Sequence, residues 1–312
     1  MTQPRVSLVI GSEGQDGFYL SGLLRSRGDQ VVGIGRGGID LRDRDHVDDL
    51  LRDLRPAEIY YLAGVFGSAE SAAADPHQDF RRCGEVHVDG WLNFLDVTAR
   101  RGSGARLFYA ASSRVFGRPP HTPQNEMTPH APLCMYGITK SAGMRLGDFY
   151  RGRGVHCSSG ILYNHESPRR PANFVSQKIV KAAVEIKLGG RQPLRLGNLS
   201  AAVDWGAAED YVEAMVRILE SEQAGDFLVA SGEPRTVSQF ADTAFSALGL
   251  PWRDHVIEDR TLLGAASPPG FALVGDSDKL RRATGWRPRT SFEEMVRLMV
   301  QAEMQLRQTA PA

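Results

Sequence analysis

Apolar and polar positions alternate in blocks along the first half of the chain. Short apolar runs at 6–10, 30–34, 58–62, 106–111 and 155–162 read as strands. Between them, apolar residues at three- and four-residue spacing predict helices over 19–27, 46–54, 86–100 and 135–150. Strand–helix alternation predicts an α/β fold: a Rossmann-type, doubly wound parallel sheet with helices on both faces. The second half breaks this rhythm, with Pro-rich turns and longer helices at 174–188, 210–221 and 291–307. It reads as a smaller C-terminal α/β substrate lobe. The division falls at 1–163 and 164–312, with room for a strand exchanged back to the first domain. Ligands of open α/β sheets sit at the carboxyl ends of the strands, so the chemistry is sought in the loops there.

Composition narrows the class. Of 312 residues, 42% are hydrophobic and 24% charged, ordinary for a soluble globular chain. Lys+Arg and Asp+Glu both number 37, so no global field exists to hold a nucleic-acid backbone or an anionic membrane. Cys83, Cys134 and Cys157 are far apart and outside any zinc spacing. That implies a reducing, cytoplasmic setting and no metal site. No apolar run approaches the roughly 18 residues a membrane span needs, and the N-terminal stretch lacks a signal-peptide layout.

The first candidate chemistry follows the first strand. Gly11-Ser12-Glu13-Gly14-Gln15-Asp16-Gly17 has the spacing G-x-x-G-x-x-G. Gly11 allows a tight turn, Gly14 lets a pyrophosphate approach the backbone, and Gly17 lets the helix pack on the strand. The helix N-terminus then offers free N–H groups to phosphates. Glycines alone say little; the strand before and the helix after supply the context. Gln15 and Asp16 count with the glycines as cofactor-binding residues. Arg36 stands nineteen residues past Gly17, where an acid would bind the ribose of NAD and an Arg suits the 2′-phosphate of NADP. NADP(H) is therefore the expected cofactor. Asp40 and Leu41 would flank its adenine, with Leu62 and Ala63 lining the same crevice.

The second is Tyr136-Gly-Ile-Thr-Lys140, which puts Tyr and Lys on one helical face. A nearby ammonium favours phenolate and lowers the tyrosine pKa, which makes Tyr136 an acid/base for a carbinol or carbonyl oxygen beside a nicotinamide. Lys140 also suits the nicotinamide ribose, and Ser112 at a strand end suits the same reacting oxygen. These three are the candidate catalytic residues.

With these residues in place the chain resembles an extended short-chain dehydrogenase/reductase, and within that group the GDP-mannose 4,6-dehydratase family. The resemblance rests on Gly14-Gln-Asp-Gly17, Pro123-Gln-Asn-Glu126, Tyr136-x-x-x-Lys140, the run Gly160-Ile-Leu-Tyr-Asn-His-Glu-Ser-Pro-Arg-Arg170, Leu196-Gly-Asn-Leu199, Asp204-Trp-Gly206 and Asp210-Tyr-Val-Glu-Ala-Met215. It spans nearly the whole chain, with a deletion after Arg36. It implies that Tyr136 and Lys140 are catalytic, that His165 and Arg170 contact NADP, and that Asn164 and Lys178 lie by the substrate. It also implies a homodimer or homotetramer, the tetramer put in question by the deletion. The reaction implied has three steps: hydride leaves sugar carbon 4, water is eliminated across carbons 5 and 6, and hydride returns to carbon 6.

Three departures stand out. The family's glutamate base, two residues after the catalytic Thr/Ser, aligns with Arg114, which stays protonated and removes no proton. Arg114 then reads either as a relocated anion clamp or as a solvent-facing side chain. Two arginines expected on the diphosphate align with Val203 and Ala266, and Ser267-Pro-Pro-Gly270 offers no cation. Val65-Phe66-Gly67-Ser68 replaces a polar Gln-Ser-His. Glu166 reads as a substitute base or as a structural hydrogen-bond partner. The resulting function is an NADP-dependent nucleotide-sugar-modifying enzyme. The alternatives are an enzyme of nucleosides or other substrates, and a non-catalytic NADP-binding relative.

Overall fold

The computed structural model describes residues 4–65, 75–263 and 272–309. Strand β1 (Val6–Ile10) leads through the glycine loop into α1 (Gln15–Ser26). Then follow β2 (Gln30–Ile34), α2 (Arg44–Leu54) and β3 (Glu58–Tyr61). Beyond β3 lie α3 (Pro76–Gly84), a π-helical turn at Glu85–Gly90, α4 (Trp91–Arg101) and β4 (Arg106–Ser112). A 3₁₀ turn at Ser113–Val115 precedes α5 (Met135–Arg151) and β5 (Cys157–Leu162).

Helix α1 begins four residues earlier than its apolar spacing predicts. Gly14 takes the extended N-cap conformation, and Asp16 in the first turn complements the helix dipole. The strand expected from residue 155 starts at Cys157, because Val155 closes the turn after α5 through its N–H to the Tyr150 carbonyl.

Past residue 163 the chain does not stay in one place. Strand β6 (Asn164–Glu166), α6 (Val175–Lys187), β7 (Leu194–Leu196) and β8 (Ala202–Ala207) lead away from the first sheet. Helix α7 (Ala208–Glu220) and β9 (Asp226–Val229) return to it. The rest comprises β10 (Pro234–Thr236), α8 (Val237–Ser246), β11 (Val256–Glu258), α9 (Asp278–Thr284) and α10 (Phe292–Thr309).

The main sheet has the order β2-β1-β3-β4-β5-β9 and is parallel throughout. From β1 the chain goes outward to β2 on one side and to β3 on the other. That is a topological switch point, and the crevice it opens lies at the carboxyl ends of β1 and β3. A smaller sheet, β10-β8-β6, and a β11-β7 pair complete the strands. Two hydrophobic cores follow. The larger joins the main sheet to α1, α2, α4, α5 and α7, with Trp91, Tyr61 and Tyr109 buried at its centre. The smaller packs Trp205 of β8 between α6, α8 and α10, against Phe240 and Phe292. Each fully buried large side chain contributes roughly 1.5–3 kcal/mol. No helix among the described residues is long and apolar enough to cross a membrane.

Candidate active site

The switch-point crevice is built from the glycine loop upward. Gly11 has φ +90°, and a Cβ there would lie 2.9 Å from the backbone nitrogen of Ala63. Glycine thus provides the turn and brings the loop against Leu62 and Ala63 at the end of β3. A Cβ on Gly17 would lie 2.3 Å from the Gly11 carbonyl, so only glycine lets α1 start this close to β1. The N-cap Gly14 has no side-chain cap, which leaves the first-turn N–H groups facing the crevice. An open helix start, a bare backbone and a switch point together fit a dinucleotide pyrophosphate.

At the far end of the crevice Arg36 is exposed just beyond β2, and its backbone N–H donates to the Glu13 carboxylate at 3.2 Å. Asp40 is held in an ion pair with Arg42 at 2.8 Å, which draws its carboxyl down to about 2. Leu41 packs partly buried against the core, and its carbonyl accepts from Asn93 at 2.8 Å.

Ser112, Tyr136 and Lys140 converge at the end of β4. The Ser112 hydroxyl accepts the Arg114 N–H at 3.3 Å and hydrogen-bonds the Tyr136 phenol. Lys140 is only 2% exposed. Its ammonium donates to the Ala110 carbonyl at 2.7 Å and lies 4.8 Å from the Tyr109 ring centroid and 5.8 Å from that of Tyr136. The sequence leads one to expect a lowered tyrosine pKa. In the structure burial outweighs every charge present and pushes the phenol up to about 12, against the Ser112 hydrogen bond. Burial likewise draws Lys140 down to about 7, so at neutral pH it offers less than a full charge to favour phenolate.

This has a measurable consequence. A lysine depressed to about 7 in the fold, from its ordinary value of 10.5, binds fewer protons folded than unfolded between those values. Stability is therefore expected to rise with pH across that window, with a slope approaching about 1.4 kcal/mol per unit, and to show no such term below it. Thermal midpoints of wild type and Lys140→Met across the window check this; the rise should vanish in the variant.

Sequence reasoning missed His87. It is fully buried in the π-helical turn, with its ring edge-on to Tyr136 at 5.2 Å. Its Nε2 accepts the Val65 N–H at 3.0 Å, so its Nδ1 carries the proton and donates to Thr139 Oγ1 at 2.8 Å. The Thr139 hydroxyl in turn donates to the Met135 carbonyl at 2.9 Å. Burial, and then Lys140, hold this imidazole neutral, at about 2. The chain of bonds pins α5 beneath Tyr136. Only a histidine within an apolar helical stretch signalled it.

On the opposite wall, β6 docks on the glycine loop. His165 Nδ1 faces the Tyr163 carbonyl at 2.7 Å, and Nε2 faces both oxygens of Asp16 at 2.9 and 3.0 Å. Both partners only accept, so both nitrogens are protonated and the ring is an imidazolium. Burial opposes each charge, and their mutual attraction outweighs it: His165 is raised and Asp16 lowered. Gln15 donates to the His165 carbonyl at 3.1 Å and accepts from the Ser167 hydroxyl at 2.8 Å. Arg170 lies over the Phe174 ring, with Nε 3.1 Å from Glu166. Glu166 is 2% exposed and also accepts from Ser176 at 2.6 Å. This carboxylate is a structural partner, the second of its two sequence readings.

The structure thus joins the glycine loop, Gln15, Asp16 and His165, and brings Asp16 and Arg170 into electrostatic contact with Tyr136. Asn164 opens β6 exposed, and Lys178 is half-buried on α6. Arg114 is exposed on the 3₁₀ turn. Val203 of β8 lies in register opposite Arg235 of β10, a half-buried guanidinium 2.8 Å from Glu233 that sequence reading passed over. Phe66, Gly67 and Ser68, Ala266 and residues 267–270 lie outside the described residues.

Residues 37–299 match the family model described as GDP-mannose 4,6 dehydratase. The chain belongs to the GDP-mannose 4,6-dehydratase family. GDP-mannose 4,6 dehydratase 1 of Arabidopsis thaliana is 34% identical over 339 aligned residues, covering 98% of this chain and 92% of the relative. The aligned length exceeds the chain's own 312 residues, as a chain with shortened loops requires. RMD from Pseudomonas aeruginosa, solved with NADPH, superposes with a TM-score of 0.82 at 21% identity, over 96% of this chain and 99% of that one. UDP-glucose 4-epimerase from Thermus thermophilus, solved with NAD, gives 0.79 at 23%, over 98% and 100%. The fold is that of the extended short-chain dehydrogenases/reductases, and the chain is an enzyme of that type.

Proposed function

We propose that this enzyme oxidises a carbinol of a nucleotide-linked hexose to a ketone, with Tyr136 taking the hydroxyl proton. The observation that carries this reading is the meeting of Ser112, Tyr136 and Lys140 beside a loop open to a dinucleotide. When bound, the nicotinamide supplies a hydride acceptor. The protein's own part is orientation and proton movement. Ser112 holds the reacting oxygen beside the phenol, Tyr136 accepts its proton as phenolate, the minor form while burial holds the phenol at about 12, and Lys140 would hold the ribose. His87 and Thr139 fix the helix that carries Tyr136. Asp16, Gln15 and His165 lock the glycine loop to β6, and Asn164, Lys178 and Arg114 face the substrate. Arg235 offers the substrate's anion a cation one strand away from Val203. The homo-oligomer implied by the resemblance finds support in Ile138 and Phe149, exposed along one side of α5.

Ketone formation at sugar carbon 4 acidifies the neighbouring C–H, and the relatives are named as 4,6 dehydratases. Arg114 occupies the position aligned with the usual base, and Glu166 is taken up by Arg170 and Ser176. The keto stage is therefore what the chain's residues support. Cofactor choice is divided at the ribose end: the charge of Arg36 supports NADP(H), and Glu13 beside it supports NAD(H).

Mass spectrometry after incubation with GDP-mannose and added dinucleotide tests the reading. A two-hydrogen loss, or an isomer of unchanged mass, is expected. Loss of water would place a base elsewhere in the site. No change with any nucleotide sugar, despite bound cofactor, would refute the substrate class.

A further inference from the structure

The ribose end of the crevice carries a carboxylate that its neighbours are built to receive. Glu13 stands between two glycines of the loop, and its side chain reaches across to the end of β2. One oxygen, Oε2, accepts the backbone N–H of Arg36 at 3.2 Å. A Cβ on Gly35 would lie 2.2 Å from the other oxygen, Oε1, so any side chain at residue 35 would displace the carboxylate. Glycine at 35 and glutamate at 13 thus act as a pair. No donor among the described residues claims Oε1, and Glu13 is exposed to the crevice.

The end of β2, beside the glycine loop, is where this fold places the adenosine ribose. A carboxylate there accepts from the ribose hydroxyls of NAD, and a 2′-phosphate needs cations instead. A phosphate monoester carries close to two negative charges at neutral pH. Bringing it against Glu13 sets like charges together; Arg36 is the adjacent cation, and Arg42, the next along the chain, is already engaged by Asp40 at 2.8 Å. Gly37, which follows Arg36, adds no second cation.

We propose that Glu13 is a cofactor-discriminating carboxylate, and that this chain binds NAD(H) at least as tightly as NADP(H). This rests on the dinucleotide-binding reading above and is independent of the sugar.

The experiment is titration of the full chain with NADH and with NADPH, without sugar, followed by nicotinamide fluorescence. Wild type is expected to give a Kd for NADPH equal to or above that for NADH. Glu13→Gln keeps the side chain's shape and removes its charge. It is expected to shift the ratio of the two constants at least tenfold toward NADPH. A wild type that binds NADPH more tightly, or a Glu13→Gln ratio within twofold of wild type, overturns the proposal while leaving the dinucleotide reading intact. Binding of neither cofactor overturns both.

Discussion

Tyr136→Phe is expected to lower turnover by about 10²–10⁴-fold, the range that positioned acid–base groups supply. The change removes only the oxygen that meets Ser112. The ring keeps its edge contact with His87 at 5.2 Å, and Lys140 keeps the Ala110 carbonyl at 2.7 Å. Cofactor affinity and thermal midpoint should therefore stay close to wild type. Steady-state kinetics and a cofactor titration on the same preparation separate the two effects. A variant that retains a tenth of wild-type turnover places the acid/base elsewhere. One that loses cofactor affinity along with activity assigns Tyr136 to binding instead.

Asp16→Asn is expected to cost about 3 kcal/mol of stability, the low end for breaking a buried ion pair. Both nitrogens of His165 face acceptors, so removing the carboxylate charge strands an imidazolium beside the Tyr163 carbonyl. Side-chain exposures of 10% for His165 and 22% for Asp16 keep the figure low. The pH dependence has a definite sign. Asp16 is lowered from 3.8, so its contribution is present above that value and is lost as pH falls through the folded one. His165 is raised from 6.5, so its contribution is complete below that value and is lost as pH rises through the folded one. The gap in thermal midpoint between wild type and variant should be wider near about pH 5 than near about pH 9. An equal gap at both would mean that His165 is neutral and the contact an ordinary hydrogen bond.

The main sheet was legible because its strands are short apolar runs separated by helical spacing, and each found its place in a parallel order. Other elements had local signals that periodicity does not read. Asp75-Pro76 caps and starts α3, and Thr236 with Gln239 forms a capping box on α8. Strand β9 is four residues long, and nothing local tells such a run which sheet it will join. The site divides the same way. Ser112, Tyr136 and Lys140 follow from spacing and strand ends. The Asp16–His165 pair spans 149 residues, so only the resemblance drew those two together, and it did not show them bonded to each other. The lowered tyrosine pKa failed because spacing carries no information about burial, and burial sets the charge of both Tyr136 and Lys140. Arg235 reaches Val203 through strand register alone, and Glu13 reaches Arg36 through the fold of the glycine loop, which its spacing does not show.

The most direct measurement uses GDP-mannose labelled with deuterium at carbon 4, incubated with the enzyme and oxidised dinucleotide. Mass spectrometry then follows the label in both the sugar and the cofactor. Deuterium leaving carbon 4, to the nicotinamide or to another carbon of the sugar, is the expected result, and Tyr136→Phe should abolish it. Full retention at carbon 4 with unchanged configuration there, in GDP-mannose and in UDP-glucose and dTDP-glucose treated the same way, would contradict oxidation of a nucleotide sugar at this site.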